Sequence, residues 1–185
     1  MRTILITALS IASLAAADGP RRAPGFALAD TKGQWHDLYD YRGKIVLLEF
    51  MQTTCPHCAA FTEVLKKVQQ KYGNKVAILA VANPPDSGNA IAQFVAGHQI
   101  TYPIVFDMGQ VAYSYVLKPN VDLPQVYLID ANGMIYADHS YSPMSRDIFE
   151  GNGLFNEIDR MLAAAGAPMK VSPAKTAPAK TPAKK

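Results

Sequence analysis

The only two cysteines of the 185-residue chain stand together as Cys55-Pro56-His57-Cys58. Two thiols at this spacing can cycle between dithiol and disulfide, supply half of a metal site, or close a small structural loop. The metal reading lacks its other half: there is no second C-x-x-C, and His57 lies between the cysteines, where ligating alongside both would strain it. His36, His98 and His139 are scattered without ligand spacing. A structural bridge over so short a loop would constrain the unfolded chain little. Redox exchange is the favoured chemistry, because a thiolate is the reactive form of cysteine and the local chain suits an anion.

That suitability comes from the flanking elements. Lys44-Ile45-Val46-Leu47-Leu48-Glu49-Phe50 is short, apolar and β-branched, and predicts a buried strand. Downstream, Phe61, Val64, Leu65 and Val68 recur at helical spacing, so one face of a helix running to about Tyr72 is apolar. Cys55 then falls at the helix N-terminus, where unpaired N–H groups and the macrodipole favour negative charge. Pro56 fits the first turn, where its missing N–H costs nothing. Glu49 is the anomaly in the strand. Burial would raise the pKa of its carboxyl and fit it to shuttle a proton to or from Cys58; the competing expectation has it facing solvent at a sheet end or pairing with Lys44.

Composition bounds the rest. Met1-Arg2, the apolar run Thr3 to Leu14 and Ala15-Ala16-Ala17 read as a signal peptide (1–17) cleaved before Asp18, with an uncleaved anchor as the alternative. The product would be periplasmic or secreted, where an oxidising environment permits a Cys55–Cys58 disulfide. The body, 18–167, has the length of one domain and carries twelve basic against fifteen acidic residues, whereas 168–185 carries five lysines and no acid. That tail, built from Ala, Lys, Pro and Thr, cannot bury enough apolar surface to order itself. It could touch an anionic surface weakly or serve only as a solubilising spacer. No aromatic-interleaved basic surface suggests nucleic acid.

Along the body, strand and helix patterns alternate. A short strand at Phe26-Ala27-Leu28 precedes Gly33, with Trp35 and Tyr39 expected as core or edge aromatics. A buried strand is predicted at 76–81, a Pro-rich loop at 83–88, a helix capped by Asn89 to about His98, a strand at 102–107 and a short helix from Gly109 through Tyr115. A strand at 125–130, a turn at Ala131-Asn132-Gly133, a returning strand at 134–137 and an amphipathic helix through Leu154, Ile158, Met161 and Leu162 complete the chain. The pattern is α/β, with helices on both faces of the sheet.

With these elements in place the chain resembles the thioredoxin superfamily over roughly 26–165, and its plan is similar to the exported TlpA/ResA-like thiol-disulfide oxidoreductases. C-x-x-C after a buried strand, Leu123-Pro124 just before a strand, and the terminal Asn-Gly hairpin with its helix carry the likeness. The resemblance implies a thioredoxin-like fold: a mixed central sheet flanked by helices, with an inserted strand-helix region. It also implies that Cys55 attacks and Cys58 resolves, that the Leu123–Pro124 bond is cis, and that Leu123 offers backbone groups to a substrate peptide. Protein thiols or disulfides and a redox partner protein would be the partners of a monomer needing no cofactor.

The segment Glu49 to Cys58 also resembles the active-site region of the DsbA oxidases, where an acid sits six residues before the first cysteine and Pro-His fills the motif; Thr53 and Thr54 depart from the aromatic residues usual there. His57, charged or as a hydrogen-bond donor, would favour the Cys55 thiolate and make the disulfide more oxidising. Two alternatives remain. A peroxidase would need Pro and Thr where Leu48 and Gln52 stand. A periplasmic copper-binding or metallochaperone protein could use the dithiol with His57 or Met51.

Overall fold

The computed structural model describes residues 21–116 and 122–165; the expected signal segment (1–17) and the lysine-rich tail (168–185) lie outside the described residues. The first ordered unit is a small hairpin of β1 (Ala27–Ala29) and β2 (Trp35–Asp37), followed by a 3-10 turn at Leu38–Tyr41. The main sheet starts with β3 (Ile45–Met51), leads into α1 (Pro56–Tyr72) and returns as β4 (Val76–Ala82). Then come α2 (Gly88–Gly97), β5 (Ile104–Phe106), α3 (Gln110–Tyr115), β6 (Gln125–Ile129), β7 (Ile135–Ser140), α4 (Arg146–Glu150) and α5 (Asn152–Ala165).

The five strands lie in the order β5-β4-β3-β6-β7, with β3, β4 and β5 parallel and β6 and β7 antiparallel to their neighbours. This is the expected α/β architecture with a mixed sheet. Because β3, β4 and β5 step outward in sequence order, right-handed crossovers place α1 and α2 on the same face. α2 leads into β5 at the edge of the sheet. Every residue of β3 is buried, as a central strand covered on both faces requires. Alternation along it feeds two cores. Ile45, Leu47 and Met51 pack with Phe61, Leu65 and Val68 of α1, Ile91 of α2 and Leu154 and Ile158 of α5. Val46, Leu48 and Phe50 pack on the other side with Tyr127, Leu38 and Tyr115 of α3.

Several expectations are corrected. Trp35 and Tyr39 are 70 % and 71 % exposed, not packed: their hairpin and turn lie outside the main sheet, and the Arg42 guanidinium lies over the Tyr39 ring at 5.3 Å. The second helix is capped by Ser87, whose Oγ accepts from the Ala90 N–H at 3.2 Å, rather than by Asn89. The returning strand runs on through the polar Asp138-His139-Ser140, since pairing with β6, Gln125 opposite Ser140, does not require apolar side chains. The short α4 escaped the sequence pattern, which offers too few turns to display a period. Among the described residues no helix is long and apolar enough to cross a membrane.

Candidate active site

β3 ends at Met51 on the edge of the sheet where β4 and β5 also end, so the turn into α1 stands clear of the core. The Cys55 N–H donates to the Gln52 carbonyl at 3.1 Å, closing that turn. Cys55 is the N-cap of α1: its Sγ accepts from the Cys58 N–H at 3.2 Å, and Pro56 occupies the first turn. A sulfur in this place uses one of the helix's unpaired donors and lies at the positive end of the macrodipole. Cys55 is half-buried while Cys58, one turn on, is wholly buried, and both are free thiols. Burial pushes the Cys58 thiol far up, and the Glu49 charge adds to it, so Cys58 holds its proton until a base removes it.

Glu49 shares the parity of Leu47 and Met51 and therefore points under α1, toward Cys58. It is buried, opposite Ala80 on β4 and Val126 on β6, and its Oε1 has no hydrogen-bond partner. Burial alone pushes its pKa up to about 8. The alternative of solvent exposure or a Lys44 pair is excluded, because Glu49 lies inside the strand and Lys44 is exposed outside it.

The Leu123–Pro124 bond is cis, and the Leu123 carbonyl accepts from Cys55 Sγ at 3.7 Å. The carbonyl of Pro124 in turn accepts from the Tyr141 N–H at 3.1 Å. His57 is exposed and stacks on the Tyr141 ring, with centroids 3.9 Å apart and planes 19° from parallel. The hydrogen bond expected from His57 to the Cys55 sulfur is not made; the Cys55 sulfur engages the Cys58 N–H and the Leu123 carbonyl instead. Tyr141 continues through Phe149 to Phe61, tying the His57 stack to the α1 core.

Sequence reasoning missed the clamp on the other side of the turn. Buried Asp86 accepts from the Thr53 N–H at 2.8 Å and from the Thr53 hydroxyl at 2.6 Å. Gln52 donates to the Pro84 carbonyl at 2.8 Å, and the Asn83 N–H donates to the Met51 carbonyl at 3.3 Å. The loop 83–86, with its cis Pro84–Pro85 bond, thus grips the residues just before Cys55. Its Pro-Pro-Asp composition signalled a loop; the partner of its carboxylate had no local signature. Tyr141 likewise had none. Among the described residues no group of three or more His, Cys, Asp or Glu is arranged to hold a metal ion.

The model of the AhpC/TSA family matches residues 20–137. The thioredoxin-like protein YneN of Bacillus subtilis is 30 % identical over 64 % of this chain and 69 % of its own length. The thiol-disulfide oxidoreductase ResA of Geobacillus kaustophilus is 37 % identical over 61 % of this chain and 64 % of its own length, so the chain spans about two thirds of these relatives. Among solved structures, a Chlorobium tepidum protein assigned as a thiol:disulfide interchange protein DsbE superposes with a TM-score of 0.67 at 29 % identity, covering 80 % of this chain and 99 % of that one. A secreted Mycobacterium tuberculosis disulfide oxidoreductase shares the fold at 22 % identity, with a TM-score of 0.58 over 70 % of this chain and 95 % of that one.

Proposed function

From the premise that the chain belongs to the AhpC/TSA family and has a thioredoxin-like fold, we propose that it is a thiol-disulfide oxidoreductase working through Cys55 and Cys58 on protein substrates. The observation that carries this reading is the unequal placement of the two sulfurs: Cys55 half-exposed as the helix cap, Cys58 sealed above a buried carboxyl.

The Cys55 thiolate attacks a partner disulfide, one partner sulfur leaves with the electron pair, and a mixed disulfide forms. Glu49 takes the Cys58 proton, and the Cys58 sulfur attacks Cys55 Sγ. The bond to the partner breaks, and its second sulfur leaves and is protonated from solvent. The dithiol is thereby oxidised to the Cys55–Cys58 disulfide while the partner disulfide is reduced to two thiols. The reverse sequence oxidises a partner dithiol. Leu123 and Pro124 beside Cys55 support docking of an extended substrate segment through backbone groups.

Export, as read from residues 1–17, would put this chemistry in the periplasm or outside the cell, with a separate redox protein resetting the dithiol and the tail (168–185) touching anionic surfaces weakly. The secreted mycobacterial neighbour is in keeping with that place.

Equilibration of the full chain with glutathione buffers tests the reading and sets the direction. A potential near about −120 mV marks an oxidant and one near about −270 mV a reductase. No formation of a Cys55–Cys58 disulfide at any poise would overturn it. His57→Pro would lower the potential if the imidazole charge acts on the Cys55 sulfur from its place on Tyr141; an unchanged potential would remove His57 from the mechanism. Peroxide should not be reduced, since Leu48 is buried on the far face and Gln52 is engaged with Pro84.

A further inference from the structure

Among the described residues three buried side-chain polar atoms lack a hydrogen-bond partner: Glu49 Oε1, Asn83 Oδ1 and the Tyr102 hydroxyl. Native cores pair nearly all such atoms, so each exception calls for an explanation. Two of the three, on Glu49 and Tyr102, lie on the same face of the sheet, under α1. Glu49 lies opposite Ala80 on β4, and Ala80 lies opposite Ile104 on β5. Tyr102, two residues before Ile104, packs in the same core cluster as Ile104 and Cys58, under α1. At the level of Glu49 the intervening strand offers only the methyl group of Ala80 on this face, with Ile78 and Ala82 on either side of it. A tyrosine side chain can lie across that gap.

We propose that Tyr102 is a positioning residue for the thiol-disulfide exchange: its hydroxyl turns toward the Glu49 carboxyl across Ala80 and holds that carboxyl ready to accept the Cys58 proton. The proposal rests on the functional reading above and on Glu49 as the base.

The electrostatics agree with this placement. Burial pushes the Tyr102 hydroxyl far up, and after burial the Glu49 charge acts on it most, ahead of Glu63 and Cys58. The hydroxyl therefore keeps its own proton at all working pH values and stays available as a donor. Donation to the carboxylate, directly or through one water, favours the ionised form that must exist before Cys58 can be deprotonated. Tyr102 also lines a cavity with the titratable Asp30, Lys32 and His36 of the β1–β2 hairpin region. α1 contributes Cys55, Cys58 and Glu63, the last paired with Lys66 at 2.7 Å. The strand partners of Glu49, Ala80 and Val126, carry no charge, and α5 packs on this core through Leu154, Ile158 and Met161. During resolution the proton passes from Cys58 Sγ to Glu49 and later to solvent, while the tyrosine proton stays in place.

Tyr102→Phe keeps the ring and removes only the hydroxyl. The exchange rate of the full chain with insulin disulfides is measured from pH 5 to 9 for the wild type, Tyr102→Phe, Glu49→Gln and the double variant. The Phe variant is expected to move the midpoint of the profile up by about one unit and to slow exchange at pH 7 about three- to tenfold, with an unchanged thermal midpoint. In the Glu49→Gln background the same change should have no further effect. A Phe profile that superimposes on the wild type, or equal slowing in both backgrounds, would overturn the proposal. A Glu49→Gln profile identical to the wild type would overturn it through Glu49. Absence of exchange by the wild type would instead bring down the functional reading itself.

Discussion

Cys55 and Cys58 are the same residue type one helical turn apart, yet they sit in opposite environments. The Cys55 sulfur meets partnered backbone groups, the Cys58 N–H and the Leu123 carbonyl, with the Asp86–Thr53 clamp just upstream. Around Cys58 the surroundings are a closed apolar core that holds one unpaired carboxyl and one unpaired hydroxyl. The difference teaches that roles within a dithiol are assigned by solvation rather than by chemistry. Partnered and half-exposed, Cys55 suits the attacking role proposed for it. Desolvated and charge-repelled, Cys58 is silent until a base is brought to bear.

The sharpest break of that asymmetry is to remove each sulfur in turn. Cys55→Ser should abolish exchange, a loss of at least about a thousandfold, because the attacking group is gone. Cys58→Ser should leave attack intact and accumulate mixed disulfides, visible as a mass shift after quenching with acid. If both variants were equally dead without trapped partners, the unequal roles would not stand.

Next in size is Glu49→Gln, which removes the base proposed for Cys58 and should slow resolution by about a hundredfold. The same variant sharpens the comparison through stability. The carboxyl ordinarily titrates at 4.5 and is held at about 8 in the fold, so between those values the unfolded chain sheds a proton that the native state keeps. Stability is therefore undiminished below about 4.5 and falls as pH rises toward 8, by roughly 4–5 kcal/mol in the limit of full burial. Urea unfolding of the wild type should show that decline and Glu49→Gln should not; parallel pH curves would mean the carboxyl is solvated.

Asp86→Ala tests the other side of the turn. It strips two acceptors from Thr53 and should cost about 1–3 kcal/mol in urea unfolding, while Asp86→Asn should cost less. The smallest effect is expected at Tyr141. Its stack with His57 is worth about 0.5–1.5 kcal/mol, so Tyr141→Leu should free the imidazole to approach Cys55 and raise the reduction potential by roughly 10–30 mV. A fall, or no change, would show that the stack does not restrain His57.

Much of the fold was legible because its signals are local. The strand through 45–51 and the helix after Cys55 follow from runs and periods that any nearby core would use. The extra turn at α4, the cap at Ser87 and the exposure of Trp35 were not legible, since each depends on which surface the neighbouring element happens to cover. The same division runs through the site. Cys55 at a helix start and a carboxyl in an apolar strand could be read directly. That His57 would stack on Tyr141 instead of reaching Cys55 could not, because Tyr141 is brought there by β7.

Sequence alone thus determined the chemical groups and their local frames: two thiols at a helix N-terminus, an acid in the preceding strand, a proline ahead of a later strand. Tertiary structure decided their environments. Strand parity carries Glu49 beneath Cys58, the register of β4 and β5 sets the small Ala80 beside Glu49 on the side toward β5, and the loop 83–86 closes on Thr53. Desolvation and charge proximity depend on distances through space between segments far apart in the chain, and those distances exist only once the sheet has formed.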